Sequence, residues 1–84
     1  MTPKERDRMV GALSKKFEAK VGAELVGRPG RYRFTVVSQK FAKMTQLARQ
    51  DAIWKIVDET LSREASLDVS LILAYAPEDL EIAR

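Results

Sequence analysis

The sequence predicts an α+β fold in the order helix, strand, strand, helix, helix, strand, with the helices packed on one face of a three-stranded sheet. Apolar residues recur at helical spacing near the N-terminus and again between about residues 49 and 63. Two alternating stretches flank the turn Gly27-Arg28-Pro29-Gly30, and a third, Leu67 to Tyr75, precedes Pro77. At 84 residues the chain has room for one small domain, 1–84, whose elements must share one core.

The opening Thr2-Pro3-Lys4-Glu5 reads as a helix start. Thr2 caps, Pro3 suits the first helical position, and Glu5 completes a capping box. Val10, Leu13 and Phe17 then form one apolar stripe, with Met9 beside them, on a helix from Pro3 to about Ala19. Lys15, Lys16 and Lys20 fall near its end, where the helix dipole favours positive charge.

Val21, Ala23 and Leu25 alternate with Gly22, Glu24 and Val26; after the turn, Tyr32, Phe34 and Val36 alternate with Arg31, Arg33, Thr35 and Val37. This is a hairpin, its turn built from Pro29 and two glycines. Ser38 caps a short helical segment from about Gln39, with Phe41, Met44 and Leu47 on one face. A longer helix runs from about Arg49 to Arg63 on the stripe Ile53, Val57 and Leu61, flanked by Trp54 and Ile56. In the last strand, Leu67, Val69, Leu71, Leu73 and Tyr75 are expected to face the core, with Asp68, Ser70, Ile72 and Ala74 opposite. Pro77 ends it, and Pro77 to Glu81 suits one helical turn. The covered face should carry Leu25, Phe34, Val36, Val69, Leu71 and Leu73; the open face should carry Arg31, Arg33, Thr35, Asp68 and Ser70.

The chain has no cysteine and no histidine. That removes disulfides, thiolate catalysis, the usual zinc sites and imidazole acid–base chemistry. Ser38 has no histidine to activate it; Asp58 and Glu59 are adjacent and diverge on a helix; Glu78, Asp79 and Glu81 crowd a terminal turn expected in solvent. No nucleophile, base and oxyanion donor assemble, so the expectation is a non-enzymatic protein without a cofactor or metal. There is neither a signal-like start nor a long apolar run, which gives a cytoplasmic expectation and no membrane partner.

Charge is unevenly placed: residues 1–55 hold 13 basic against 5 acidic side chains, and residues 56–84 hold 2 against 7. Such asymmetry suits an anionic partner, pairing between the halves, or plain solvation of helix faces.

The run Val36-Val37-Ser38-Gln39-Lys40-Phe41, the basic Arg49 opening the long helix, and the ending Ala74-Tyr75-Ala76-Pro77-Glu78-Asp79-Leu80 together resemble the BolA-like family, over about Val21 to Leu80. The resemblance implies a fold related to class II KH domains, with a mixed three-stranded sheet. It also implies two activities: pairing with monothiol glutaredoxins around a shared, histidine-ligated iron–sulfur cluster, and stress-linked regulation of transcription by DNA binding. The chain departs from the pattern at the ligand positions. Gln50 stands where the family has histidine after the basic residue, and Asp68 stands where it has histidine at the start of the last strand. The hairpin loop offers only Arg28, Pro29 and Gly30, and Lys43 replaces a glycine. Carboxylate is a poor donor for a cluster that takes thiolate or imidazole.

Two functions follow as expectations. The first is nucleic-acid binding, to DNA or RNA, through a basic edge made of Arg31, Arg33, Lys40, Lys43, Arg49 and Lys55, with Arg28 nearby. Aromatic residues for base stacking are scarce, Tyr32 and Trp54 at most. The second is a protein adaptor, pairing with a monothiol glutaredoxin without the usual cluster, the chain being a monomer or weak homodimer.

Overall fold

The computed structural model describes residues 1–82, with side chains through residue 80. Glu81, expected in the crowded terminal turn, therefore lies outside the described side chains. The first helix, α1, spans Pro3–Phe17 and carries the expected capping box between Thr2 and Glu5. It stops two residues short of the expected end because Glu18 turns left-handed, φ 49°, and the Ala19 N–H bonds back to Ser14.

Strands β1 (Lys20–Leu25) and β2 (Tyr32–Val37) pair antiparallel, with Ala23 opposite Phe34. Gly27 and Gly30 take the positive φ values, 70° and 83°, that the connection requires. A 3₁₀ turn, Gln39–Phe41, follows under the Ser38 cap. Helix α2 then spans Gln46–Thr60, starting three residues before the expected Arg49 because the Thr45 side chain caps Ala48. A one-turn helix α3 (Arg63–Ser66), not expected from the periodicity, leads into β3 (Val69–Tyr75), which lies parallel to β2. The short α4 (Pro77–Ile82) closes the described chain. The strand order is β1-β2-β3, a mixed sheet whose middle strand is the best buried.

Met9, Leu13 and Phe17 of α1 and Ile53, Ile56 and Val57 of α2 close over Tyr32, Phe34, Val36, Val69, Ile72 and Ala74 of the sheet. The last strand corrects the expected phase. Tyr32 pairs with Val69 but Arg33 pairs with Leu71, so Ser70 is an extra residue, a bulge. Beyond a one-residue slip every side chain changes face. Ile72 and Ala74 enter the core, while Leu71 is 49% exposed and shares the open face with Leu73 and Tyr75. Leu25 and Leu67, also expected inside, are 63% and 73% exposed. Leu25 ends the edge strand β1 and Leu67 precedes β3, so neither is enclosed as Tyr32 and Val69 are. Leu47, expected on an apolar face, is 72% exposed.

Candidate interaction surfaces

The six cations proposed from sequence do not share one surface. Arg31 and Arg33 belong to the hairpin end of β2, while Lys40 and Lys43 follow its other end. The six residues of β2 put about 17 Å of strand between the two groups. Arg33 is paired with its cross-strand neighbour Glu24 at 2.8 Å. Arg31 is half-buried. Lys55 is exposed midway along α2, and neither it nor Lys43 has a side-chain partner among the described residues. Lys40 is exposed, with its Nζ 3.6 Å from Glu18 and 3.5 Å from the Lys16 carbonyl. Lys20 and Lys40 thus both lie by Glu18 at what we call the junction end, where α1 and β2 terminate, with Lys43 three residues further along the chain. The Lys16 side chain instead lines a groove with Ile56, Glu59 and Thr60 of α2.

Arg49 is the exception in kind. It is 5% exposed. Its Nε donates to the Met44 carbonyl at 3.1 Å; its Nη1 donates to the Ala74 carbonyl at 3.1 Å and to the Asp79 carboxylate at 2.7 Å. The guanidinium also lies over the Phe41 ring. It ties α2, β3 and α4 together from inside, so it is not displayed to a ligand. The Ala76 N–H and this guanidinium hold the Asp79 carboxyl below its ordinary pKa. This is one place where the basic and acidic parts of the chain pair with each other. Ser38 makes a second buried link at the same end, donating to the Phe17 carbonyl and accepting from the Lys40 N–H.

The two positions at which the resembled family keeps histidine are both engaged here. Asp68 pairs with the Met1 amino group, which lowers its carboxyl pKa, with Arg28 and Arg31 adding to the effect. Gln50 donates to the Ile72 carbonyl at 2.9 Å and accepts from the Trp54 indole at 3.2 Å. Its neighbour on the helix face, Gln46, donates to the Ala74 carbonyl at 3.3 Å. The spacing explains the pair. Four helical residues rise about 6 Å and two strand residues about 6.6 Å, so amides at i and i+4 reach alternate carbonyls of an adjacent strand. Gln46, Arg49 and Gln50 thereby seal the outer edge of β3. Sequence reasoning missed this role for the glutamines. The available signal was their i, i+3, i+4 spacing with Arg49, one turn ahead of the stripe Ile53 and Val57.

The open sheet face presents Leu71, Leu73 and Tyr75 of β3 beside Arg33, Thr35 and Val37 of β2. Val37 also lines a groove of about 500 Å³ at the junction end, together with Lys20, Glu18, Pro77 and Leu80. An apolar strip bordered by charge therefore runs from the middle of the sheet to α4. Tyr32 is buried, with Arg6 over its ring, and Trp54 is half-buried against the core. Neither offers a free stacking face. Among the described residues, no helix is long and apolar enough to cross a membrane.

No family model matches the chain, and no curated protein matches it in sequence. Among solved structures, BolA1 from Arabidopsis thaliana is similar over 89% of this chain and 94% of its own, with a TM-score of 0.68 and 18% identity. The chain has a BolA-like fold.

Proposed function

We propose that the chain is a non-enzymatic adaptor that binds another protein across its open sheet face. The observation that carries this is the strip formed by Leu71, Leu73, Tyr75 and Val37, left uncovered by the helices and bordered by Arg33 and Lys20. Exposed contiguous apolar surface rimmed by charge suits protein docking. The resemblance to BolA-like proteins makes a monothiol glutaredoxin the first partner to try. The engaged Gln50 and Asp68 support a complex that forms without this chain ligating a cluster. Titrating the chain with a monothiol glutaredoxin, with and without its iron–sulfur cluster, tests the reading. A complex is expected in both cases, with no change in the cluster's visible spectrum. L71K should abolish the complex while leaving the circular dichroism unchanged. No complex, or equal binding by L71K, overturns the reading.

A second reading is favoured by a separate observation, the exposed Lys20 and Lys40 at the junction end with the exposed Lys43 close by in the chain. Such a set suits the phosphate backbone of DNA or RNA, and a regulatory role in transcription or stress would follow from it. Binding to single- and double-stranded oligonucleotides should then weaken steeply with salt and drop in K40E/K43E. Absence of binding at low salt removes this reading.

A further inference from the structure

The sheet has two outer edges, and only one is sealed. The Val26 N–H bonds to Arg31 across the hairpin, and the N–H groups of Tyr32 and Ser38 bond toward β3. In an antiparallel ladder the direction alternates residue by residue. Lys20, Gly22 and Glu24 therefore bond inward to Val37, Thr35 and Arg33, and the backbone groups of Val21, Ala23 and Leu25 point outward. Among the described residues, nothing bonds to those outward groups.

We propose that β1 pairs antiparallel with β1 of a second copy of this chain, about a two-fold axis through Gly22. The strand reads Lys20-Val21-Gly22-Ala23-Glu24, with opposite charges at equal distances from a central glycine. On antiparallel pairing, Lys20 of each copy lies opposite Glu24 of the other. The outward groups of Val21 meet those of Ala23, giving four backbone hydrogen bonds by symmetry. Gly22 meets itself on the axis, where no side chain obstructs the close approach; a Cβ there would have nothing within 4 Å in one copy. The exposed Leu25 gains a neighbour in Ala19 of the second copy. A lysine on an edge strand ordinarily deters other strands. Here the mirrored glutamate exempts one partner, the strand's own antiparallel copy. A parallel copy would set lysine beside lysine and glutamate beside glutamate, so charge selects the orientation. A six-residue edge belongs to the small, transient class of interfaces, so the dimer forms at high concentration.

This inference shares Lys20 with the border of the adaptor strip but stands on the backbone edge of β1, whereas the strip centres on Leu71 of β3, so L71K separates the two. Sedimentation equilibrium from micromolar to millimolar concentration is the test. The chain is expected to show a reversible monomer–dimer equilibrium. K20E and E24K should each weaken it about tenfold, since each makes both charge pairs repulsive. An equimolar mixture of the two variants should restore the dimer, because each charge then meets its opposite. A23P, which removes an outward N–H and leaves the inner ladder intact, should abolish it, whereas L71K should leave it unchanged. A chain that stays monomeric throughout overturns the proposal. So does a dimer equally strong in K20E, in E24K and in their mixture.

Discussion

Along β3, three side chains from α2 reach the outward carbonyls of Ile72 and Ala74; along β1, the outward groups of Val21, Ala23 and Leu25 meet none. The difference does not come from the strands' own composition alone. Both contain apolar residues, and β3 is the more apolar of the two. It comes from what packs beside them. The helix α2 descends past β3 at a pitch that matches the strand's carbonyl spacing, and its polar face happens to carry amides and a guanidinium there. At the β1 edge, α1 offers no such donors. Sealing an apolar edge with helix side chains prevents unwanted strand addition, while an edge guarded only by one lysine and one glutamate stays selective rather than closed.

The largest expected effect tests the bulge that decides which β3 carbonyls face α2. Ile72→Ala should cost about 3 kcal/mol, because a core side chain is lost, while Leu71→Ala should cost under about 1 kcal/mol. Urea unfolding of both variants measures the contrast. Near-equal losses would break the phase assignment and with it the sealed edge.

Arg49→Met comes next, at about 2–3 kcal/mol by urea unfolding, since Met44 and Ala74 lose charge-assisted donors in a buried place. Part of that loss should be visible at acid pH. The Asp79 carboxyl is held below its ordinary value of 3.8, so its contribution is present above that value and disappears as pH falls through the lowered one. Stability measured below about pH 4 should therefore decline less steeply in D79N than in the unaltered chain. An equal decline in both would mean that Asp79 is not the group engaged.

Gln50→Ala should cost about 1 kcal/mol and speed hydrogen exchange along β3, as one edge carbonyl returns to solvent. Smallest of all, Glu24→Gln should change stability by under about 0.5 kcal/mol, because its pair with Arg33 is exposed and screened. A large loss from Glu24→Gln would show that the β1 edge is more tightly organised than its contacts indicate.

Much of the fold was legible from local pattern. The Thr2–Glu5 box, the hairpin around Gly27 and Gly30, the Ser38 cap and the pair Ile53, Val57 each express a short-range rule and stand as expected. Helix α2, by contrast, stops at Thr60, short of the expected Arg63, and leaves Leu61 as its extended, buried C-cap. The face of β3 was not legible. Leu71, Ile72 and Leu73 form a continuous apolar run, so period two has two equally apolar phases, and only the bulge at Ser70 chooses between them. The cationic site was legible as residue type but not as geometry. Arg49 reads like any other basic residue at a helix start, and nothing in its neighbours announces that Asp79, thirty positions on, will fold against it.

By itself, then, the amino-acid order determined the elements, their caps and turns, and the charge palindrome of Lys20 to Glu24, because these depend on residues a few positions apart. Only the folded arrangement decided which strand edge is closed, which leucines meet water, and that one arginine is structural while Lys20 and Lys40 share one end. Those outcomes depend on contacts between segments far apart in the chain, where a shift of one residue or a few ångströms reverses what is buried and what is offered.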